Sequence, residues 1–318
     1  MKQTVVITAA IPRVATAILS REFEVVAHPT EGARSEEDLI TLVAEADGVI
    51  TMVTDPITRR VLESNPNLRV VGNYGVGVNN VDLDAAREHG VVVTNTPESL
   101  TDATADLTIA LLLAVARHLV PGDRMVRSGQ FTGWDPLMLL GASLQQKRLG
   151  IVGMGRIGCG VARRALGFGM EVVYTARGRN EICEQALAVR RVELDELLAT
   201  SDFVSIHAPL TPETRHMIDR DAFARMKYGA YLVNTARGPI VDEAALADAL
   251  IDGRLAGAAL DVYENEPAVE PRLLSLDNVV LLPHLGSATE EARDDMARTA
   301  AENVAAVLNG REPKCRVV

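Results

Sequence analysis

The sequence contains few cysteines and few aromatic residues. Its 318 residues include only three cysteines, Cys159, Cys183 and Cys315, whose wide spacing predicts neither a disulfide framework nor a CxxC metal motif. Aromatic residues make up 3% of the chain and hydrophobic residues 47%, so we expect a core of valine, leucine, alanine and isoleucine. This composition favours a protein without a bound metal, in a reducing, cytoplasmic setting.

Runs of positive charge and long apolar runs are also missing. A formal net charge of −11 argues against nucleic acid or an anionic membrane surface as a partner. No apolar run approaches membrane-spanning length, and residues 1–10 lack the architecture of a signal peptide. An anionic substrate would therefore have to be attracted by local cations, since the overall charge repels it.

The most informative motif that is present is a glycine-rich turn between two apolar runs. Residues 149–152 lead into Gly153-x-Gly155-x-x-Gly158, a helical pattern follows, and residues 172–174 form the next apolar run. The first glycine permits a tight turn, the second a close approach of a pyrophosphate, and the third close packing of helix on strand. The N-terminus of the helix attracts phosphate. In this strand–turn–helix–strand setting the motif indicates dinucleotide binding rather than a glycine turn of purely steric origin.

The end of the second apolar run indicates which dinucleotide is bound. In NAD-binding units an acidic residue at this place usually binds the ribose 2′-hydroxyl. Here the run is followed by Ala176, Arg177 and Arg179, and the first acidic residue is Glu181. Arginine can hold a 2′-phosphate through charge-assisted hydrogen bonds, whereas a carboxylate would repel it. The alternative is a pair of solvated loop arginines; the pattern favours NADP over NAD.

The first third of the chain alternates predicted strands and helices without a phosphate fingerprint. A helix is expected at 35–46, where Ser35 can act as N-cap and the acidic residues that follow suit the positive helix end. This alternation predicts a small doubly wound parallel sheet. The predicted strands are residues 5–8, 24–27, 48–53, 68–71 and 91–94.

A second series of strand–helix units begins at Lys147. A largely apolar helical stretch at 101–127 is expected to join the two series, and residues 129–146 are expected to be irregular. Two α/β units of this kind predict a ligand cleft between them. The further predicted strands are residues 202–206, 230–233, 257–260 and 279–282, and the further helices residues 194–200, 242–252 and 290–308.

Histidine is the natural candidate for an acid/base residue, because its ordinary pKa lets it exchange a proton near neutrality. Among the six histidines, His207 and His284 each follow an apolar run, at the strand ends where α/β sites form. His28 also follows such a run, but in the series that lacks a fingerprint. Spacing alone does not choose between His207 and His284, and a histidine at a strand end can be purely structural.

Several long motifs together resemble one enzyme family. In order they are NYGVGVNNVD (73–82), GIVGMGRIG (150–158), HAPLTPET (207–214), LVNTARGPIVDEAAL (232–246), GAALDVYENEP (257–267) and LLPHLGSAT (281–289). Along essentially the whole chain they resemble the D-isomer-specific 2-hydroxyacid dehydrogenases, most of all the NADP-dependent glyoxylate/hydroxypyruvate reductases. The resemblance implies two doubly wound parallel-sheet domains: a discontinuous flavodoxin-like substrate domain (1–98 plus 288–318) and a Rossmann cofactor domain (99–287).

The resemblance also implies the catalytic residues. His284 is expected to protonate the carbonyl oxygen of a 2-keto acid as hydride arrives, and Glu266 to orient the imidazole and favour its protonated form. Arg237 is expected to bind the substrate carboxylate and polarise the keto group. The backbone amides of Val76 and Gly77 are expected to complete the carboxylate site.

The cofactor contacts implied by the resemblance involve pyrophosphate, adenosine and nicotinamide groups of NADP(H). Among them, Asp261 is expected to hold the carboxamide, and Gly286 to lie beside the nicotinamide. The full expected set is Thr104, Gly153, Gly155, Arg156, Ile157, Gly158, Ala176, Arg177, Arg179, Pro209, Thr214, Thr235, Asp261, His284 and Gly286.

The irregular segment 129–146 suggests an assembly. It holds the only tryptophan, Trp134, beside an apolar run, which predicts burial against a second copy of the chain. The resembling reductases exchange such a segment, so we expect a homodimer in which Trp134 contacts the partner's substrate. The alternative is that Trp134 packs under its own loop.

Two other functions are compatible with the resemblance. The enzyme could act on another substrate, such as a longer 2-ketoaldonate or phosphite. The chain could instead be a dinucleotide-sensing interaction protein like the corepressor relatives of these enzymes. The resemblance also disfavours formate as a substrate, because formate dehydrogenases of the same superfamily have glutamine at the place of Glu266.

Overall fold

A computed structural model describes residues 2–29, 32 and 34–318. Backbone contacts divide the chain into two compact units, the first formed by Met1–Leu100 and Ala288–Val318 and the second by Thr101–Ser287. The strands are β1 Thr4–Ile7, β2 Glu24–Ala27, β3 Gly48–Met52, β4 Val70–Tyr74, β5 Val92–Thr94, β6 Arg148–Val152, β7 Glu171–Thr175, β8 Arg190–Arg191, β9 Phe203–Ile206, β10 Ala230–Asn234, β11 Leu255–Leu260 and β12 Val279–Leu281. The helices are α1 Arg13–Leu19, α2 Glu36–Val43, α3 Arg59–Glu63, α4 Leu83–Glu88, α5 Thr101–Ala116, α6 Leu119–Arg127, α7 Arg156–Gly167, α8 Glu181–Leu187, α9 Leu194–Thr200, α10 Arg220–Arg225, α11 Glu243–Ile251 and α12 Glu290–Leu308, with short 3₁₀ helices at Gly238–Ile240 and Pro271–Ser275.

The first unit is a five-stranded parallel sheet in the order β2-β1-β3-β4-β5, flanked by helices. This is the flavodoxin-like order, so the predicted doubly wound sheet is confirmed. The central strands β3 and β4 are buried, as in sheets covered on both faces, whereas the edge strand β2 is partly exposed. Ser35 caps α2 as predicted, accepting the N–H of Asp38 while the Asp38 carboxylate accepts the N–H of Ser35.

The second unit is a seven-stranded parallel sheet in the order β12-β11-β10-β9-β6-β7-β8. The strand order reverses between β6 and β9, which are neighbours although β7 and β8 intervene in the chain. Ligands of doubly wound sheets bind at such a switch point, beyond the carboxyl ends of the strands. The glycine motif follows β6 directly, so the topology brings it to this point.

The predicted helical stretch at 101–127 is wrong as a single element. It forms two helices, α5 and α6, whose axes are bent by 65°. The break has a tertiary cause, because the N–H of Ala142 donates to the carbonyl of Ala116 at 2.8 Å and His118 adopts a left-handed backbone conformation. Among the described residues no single helix is long and apolar enough to cross a membrane, and this bent pair reaches that criterion only when taken together.

Residues 129–146 contain neither helix nor strand, as predicted. They leave large apolar side chains exposed: Trp134 is 82% exposed, Leu137 75% and Leu140 66%. Elsewhere in the second unit the two faces of the sheet are covered by aliphatic side chains, with Phe203 stacked on Tyr231 at 4.9 Å between ring centres. The predicted aliphatic core is therefore observed, and the segment 129–146 is a departure from it.

Candidate active site

His284 lies just beyond β12 and is held by its backbone. Its N–H donates to the carbonyl of Asp261, at the end of β11, over 2.9 Å. Its φ of 56° is a left-handed conformation that non-glycine residues adopt at a cost of about 1–3 kcal/mol. This backbone directs the imidazole Nδ1 towards Glu266 Oε2, at 2.9 Å, with the two side chains 33% and 26% exposed. The other ring nitrogen, Nε2, forms no hydrogen bond with another described residue.

Glu266 is the hydrogen-bond partner of this histidine. Its Oε1 accepts the N–H of Tyr263 at 3.0 Å, and its Oε2 faces His284. Burial acts to raise the pKa of Glu266, but the hydrogen bond and positive charge of His284 outweigh it and hold that pKa below its ordinary value. The carboxylate is therefore ionised at neutral pH, and its Oε2 faces the imidazole Nδ1.

Arg237 lies in the turn after β10. Asn234 shapes this turn, because its side chain donates to the Arg237 carbonyl and accepts the N–H of Ala236, both at 3.0 Å. The guanidinium donates to the carbonyl of Ala236 at 2.7 Å. Burial lowers the pKa of Arg237, while the charge of Glu266 opposes that change. A partly buried cation close to the histidine–carboxylate pair is suited to binding an anion.

His207, the alternative acid/base candidate, has a different environment. It follows β9, its Nε2 lies 2.8 Å from Ser205 Oγ, and no carboxylate pairs with it among the described residues. Burial lowers the pKa of His207 to about 3. Its imidazole is therefore neutral at physiological pH and has no imidazolium proton to donate. The geometry favours His284 as the acid.

The glycine motif forms the turn from β6 into α7. Gly153 has a φ of 100°, and a Cβ there would lie 2.6 Å from backbone atoms of His207 and Ala208. Gly155 is the N-cap of α7, and apart from its chain neighbours a Cβ there would meet no described atom within 4 Å. Arg156 and Ile157 begin the helix, one exposed and one half-buried. Open space before the N-terminus of a twelve-residue helix fits a dinucleotide pyrophosphate.

The two arginines after β7 differ in a way that the sequence pattern did not predict. Arg177 is exposed, and its guanidinium has no hydrogen-bond or ion-pair partner among the described residues, although its positive charge acts on the Glu213 carboxylate. Arg179 is paired with Glu184 of α8, with its Nε 3.2 Å from Oε2. Tyr174 also donates to Glu184, over 2.7 Å. The preceding Ala176 presents its carbonyl to Arg191. Of the two arginines, Arg177 is therefore the one whose donors are available to a ligand, and a glutamate at the start of the next helix was the signal for this difference.

Three of the expected cofactor residues come together beside His284. The Asp261 carboxylate is fully buried and accepts the N–H groups of Leu285 and Gly286, at 2.6 and 2.7 Å. Burial raises the pKa of Asp261, and these N–H groups oppose the change. Thr104, from α5, donates to the Gly286 carbonyl at 2.9 Å. Asp261 thus holds the turn that follows His284, and its contact with a carboxamide stays a prediction.

The remaining predicted residues lie elsewhere. Thr214 donates to the carbonyl of Pro209 at 2.7 Å, and the hydroxyl of Thr235 lies 2.9 Å from that of Thr108. Both pairs belong to the second unit, and the expected contacts of Pro209, Thr214 and Thr235 with the cofactor stay predictions. In the first unit, the carbonyls of Val76 and Gly77 accept side-chain N–H groups of Asn95 and Asn73, each at 2.8 Å.

The expectation that the cysteines form no disulfide is wrong. Cys159 of α7 and Cys183 of α8 are joined, with a Cα–Cα distance of 6.2 Å across a sequence separation of 24 residues. The physical reason is the connection through β7, which brings these two helices together. Cys315 is free and half-buried. Cysteine spacing alone carried no signal for this pair.

The fold and the site together define a class. A glycine fingerprint at the switch point of a doubly wound sheet, with a histidine–carboxylate pair and an arginine at the same sheet edge, is typical of dinucleotide-binding α/β enzymes. The family model described as "D-isomer specific 2-hydroxyacid dehydrogenase, NAD binding domain" matches residues 109–286. The chain belongs to this D-isomer-specific 2-hydroxyacid dehydrogenase family, as its motifs predicted.

Individual relatives agree with this assignment over nearly the whole chain. A glyoxylate reductase of Thermococcus litoralis is 46% identical over 317 residues, covering 98% of this chain and 96% of the relative. A Thermus thermophilus protein of known structure has 46% identity and a TM-score of 0.93, covering 99% and 100% of the two chains. An NADPH-dependent glyoxylate/hydroxypyruvate reductase of Sinorhizobium meliloti, solved with NADP and malonate, has 32% identity and a TM-score of 0.89, covering 100% and 97%.

Proposed function

We propose that this enzyme reduces glyoxylate, hydroxypyruvate or a related small 2-keto acid to the D-2-hydroxy acid, with NADPH as the reductant. The observation that carries the proposal is the His284–Glu266 pair at 2.9 Å, with the Arg237 guanidinium near enough for its charge to lower the pKa of Glu266. The names of the similar glyoxylate reductase and glyoxylate/hydroxypyruvate reductase support the substrate class.

His284 is the proposed general acid. With Nδ1 hydrogen-bonded to the Glu266 carboxylate, the protonated imidazole can donate its Nε2 proton to the carbonyl oxygen of the keto acid. In the reverse direction the neutral imidazole accepts the proton of the hydroxyl group. Glu266 stabilises the positive charge of the imidazole and fixes the orientation of its ring.

Arg237 is the proposed site for the substrate carboxylate. A planar guanidinium offers two parallel N–H donors to a carboxylate, and its charge polarises the neighbouring keto group. Its half-buried position in the turn after β10 limits competition by water. In a chain with a net charge of −11, such a local cation is what an anionic substrate requires. In the first unit, the amides of Val76 and Gly77 are proposed as donors to a substrate carboxylate.

The dinucleotide is proposed to be bound by the open turn at Gly155 and by the arginines after β7. NADPH, when bound, supplies the hydride. Arg177 is the proposed main partner of the 2′-phosphate, because its guanidinium has no hydrogen-bond or ion-pair partner among the described residues, while Arg179 is already paired with Glu184. The NADPH dependence and bound NADP of the Sinorhizobium meliloti relative support this preference.

The exposed apolar segment is proposed to be covered by a second copy of the chain. Phe131, Trp134, Leu137 and Leu140 are between 51% and 82% exposed in the single chain. Several large apolar side chains exposed on one segment are typical of a protein interface. We propose a homodimer in which Trp134 reaches the partner's substrate.

The cytoplasmic location expected from the composition also stays a prediction.

A substrate panel tests the proposal. Glyoxylate, hydroxypyruvate, pyruvate and a six-carbon 2-ketoaldonate would each be offered with NADPH and with NADH, and kcat/KM measured from the loss of absorbance of the reduced cofactor. We expect glyoxylate and hydroxypyruvate, each with NADPH, to give the highest values of kcat/KM. Preference for the 2-ketoaldonate would assign a different substrate, equal use of NADH would remove the cofactor assignment, and no turnover with any acid would contradict the enzyme class.

A further inference from the structure

We propose that Glu243, the first residue of α11, is a positioning residue that holds the loop of Glu266 and thereby sets the contact between Glu266 and His284. The inference rests on the proposed function, because it concerns the same acid/base pair. It adds a residue that forms no hydrogen bond or ion pair with either member of that pair among the described residues.

The first observation is a buried carboxylate without a cation. The Glu243 side chain belongs to a residue only 5% exposed, and it forms no ion pair with any described residue. Its Oε1 accepts the N–H of Glu264 at 2.5 Å, and its Oε2 accepts the N–H of Glu270 at 3.3 Å. Burial raises the pKa of Glu243, and these two N–H groups oppose the change. Burying a carboxylate is costly, so these two bonds are its compensation.

Those two N–H groups bracket Glu266 in the chain. One carboxylate therefore ties the loop of Glu266 at both its start and its end to the N-terminus of one helix. Within this loop, Tyr263 donates its N–H to Glu266 Oε1 at 3.0 Å, and its hydroxyl donates to the carbonyl of Leu282, two residues before His284, at 2.8 Å. A displacement of the loop at Glu264 would consequently move the Glu266 carboxylate relative to His284.

The second observation is independent and concerns the turn of Arg237. A Cβ on the next residue, Gly238, would lie 1.8 Å from the carbonyl carbon of Tyr263 and 2.4 Å from the nitrogen of Glu264. The backbone after Arg237 thus packs directly against the backbone that Glu243 holds. The segment at 263–264 is enclosed from two sides, by the Arg237 turn and by the Glu243 carboxylate. This junction fixes the position of Arg237, the proposed anion site, relative to His284, the proposed acid.

The groups that act on Glu266 are known from the same geometry. His284 and Arg237 lower its pKa, and Asp261 and Tyr263 are the other titratable groups coupled to it. Glu243 is coupled to the acidic residues Glu264 and Glu270 and to the phenol of Tyr263. Its effect on the acid/base pair must therefore pass through the position of the loop, since Glu266 itself supplies the charge at His284.

The test compares Glu243→Gln with a matched control, Glu264→Gln. Glutamine at 243 keeps the size of the side chain but presents an NH₂ donor to one of the two N–H groups. The control removes a charge in the same loop from a side chain that pairs with His216, whose Nε2 lies 2.6 Å from Glu264 Oε1. It leaves in place the Glu264 N–H that Glu243 accepts. For each protein, kcat, KM, the pH–rate profile of glyoxylate reduction, NADPH affinity and the thermal unfolding midpoint would be measured.

We expect Glu243→Gln to lower kcat about 10- to 100-fold, because a misplacement of about 1 Å in an active site has an effect of this size. The loss of rate with rising pH should begin at lower pH, since a displaced Glu266 stabilises the protonated histidine less. NADPH affinity should stay within about twofold, because the fingerprint lies elsewhere in the unit. Glu264→Gln should match the wild type in kcat and in pH profile.

The possible results separate a positioning role from a structural one. An unchanged kcat and pH limb in a folded Glu243→Gln protein would overturn the inference, as would an equal shift in Glu264→Gln. Should Glu243→Gln not fold, Glu243→Asp and Gly238→Ala would be tested for the same shift. If none of the three unfolds cooperatively, Glu243 is structural and the inference is wrong. Absence of turnover in the wild type would instead contradict the proposed function, before any variant is compared.

Discussion

The glycines of the fingerprint should respond to alanine in opposite ways, because their surroundings differ. At Gly158 a Cβ would lie 2.2 Å from the carbonyl oxygen of Gly153, and at Gly153 the φ of 100° is itself unfavourable for alanine. At Gly155 a Cβ meets no described atom within 4 Å other than its chain neighbours, and its φ of −80° suits any residue. Gly158 and Gly153 should therefore matter for stability, and Gly155 for the ligand.

The magnitudes follow from these distances. Forcing a methyl group against backbone at Gly158 should cost about 1–3 kcal/mol, and the left-handed conformation at Gly153 a similar amount. Gly155→Ala stabilises the folded protein by about 0.4–1 kcal/mol, because alanine makes the unfolded chain less flexible. Alanine is also a poorer N-cap than glycine, which destabilises the folded protein by a comparable amount. These two effects nearly cancel. If the methyl group removes one charge-assisted N–H bond to phosphate, about 1.5–3 kcal/mol, then the Kd for NADPH rises roughly 10- to 100-fold.

Thermal unfolding and NADPH titration measured on the same samples separate these effects. About 2–4 °C per kcal/mol predicts a clear drop in Tm for Gly158→Ala and a Tm close to the wild type for Gly155→Ala. Gly167→Ala is the control, since it lies at the other end of α7 in open space and should leave NADPH affinity unchanged. Wild-type NADPH affinity in Gly155→Ala would refute the placement of the pyrophosphate at this turn. A low Tm in the same variant would refute the conclusion that a methyl group at residue 155 meets no other atom.

Three further predictions concern the chemistry, the cofactor and the assembly. Arg177→Ala should raise the KM for NADPH roughly 10- to 100-fold with little change for NADH, and Arg179→Ala should have a smaller effect; equal effects would contradict the distinction between them. His284→Ala should lower turnover about 10²- to 10⁴-fold with NADPH affinity preserved, whereas His207→Gln should stay active in steady-state assays, and the reverse result would move the acid to His207. Sedimentation should show a dimer at micromolar concentration, and Trp134→Ala should alter the ratio of kcat/KM between small and large keto acids; a monomer with unaltered selectivity would remove the interface.

Local sequence patterns predicted most of the fold. Short aliphatic runs separated by helical patterns placed every strand of the two parallel sheets except β8 within a few residues, because such runs are stable only when covered on both faces. The Ser35 cap was equally visible, since a capping box involves residues three apart. The glycine fingerprint was readable for the same reason, because its turn, open space and helix start lie within six consecutive residues, 153–158. The two-residue strand β8 consists of Arg190 and Arg191 and contains no apolar run, so the pattern did not predict it.

Tertiary structure decided what depends on residues far apart in the chain. Burial, which spacing does not encode, separates His207 from His284 by lowering the pKa of His207 to about 3. The break between α5 and α6 depends on a hydrogen bond that Ala142 donates to Ala116. Packing also decides that Glu184 pairs with Arg179 and not with Arg177, although these three residues lie close together in the sequence. Glu243 holds the loop of a residue that follows it by a whole helix and strand. Sequence alone therefore determined which local units form, whereas packing decided which side chains are neutral, paired or held in place, because those properties arise from contacts that only the folded chain creates.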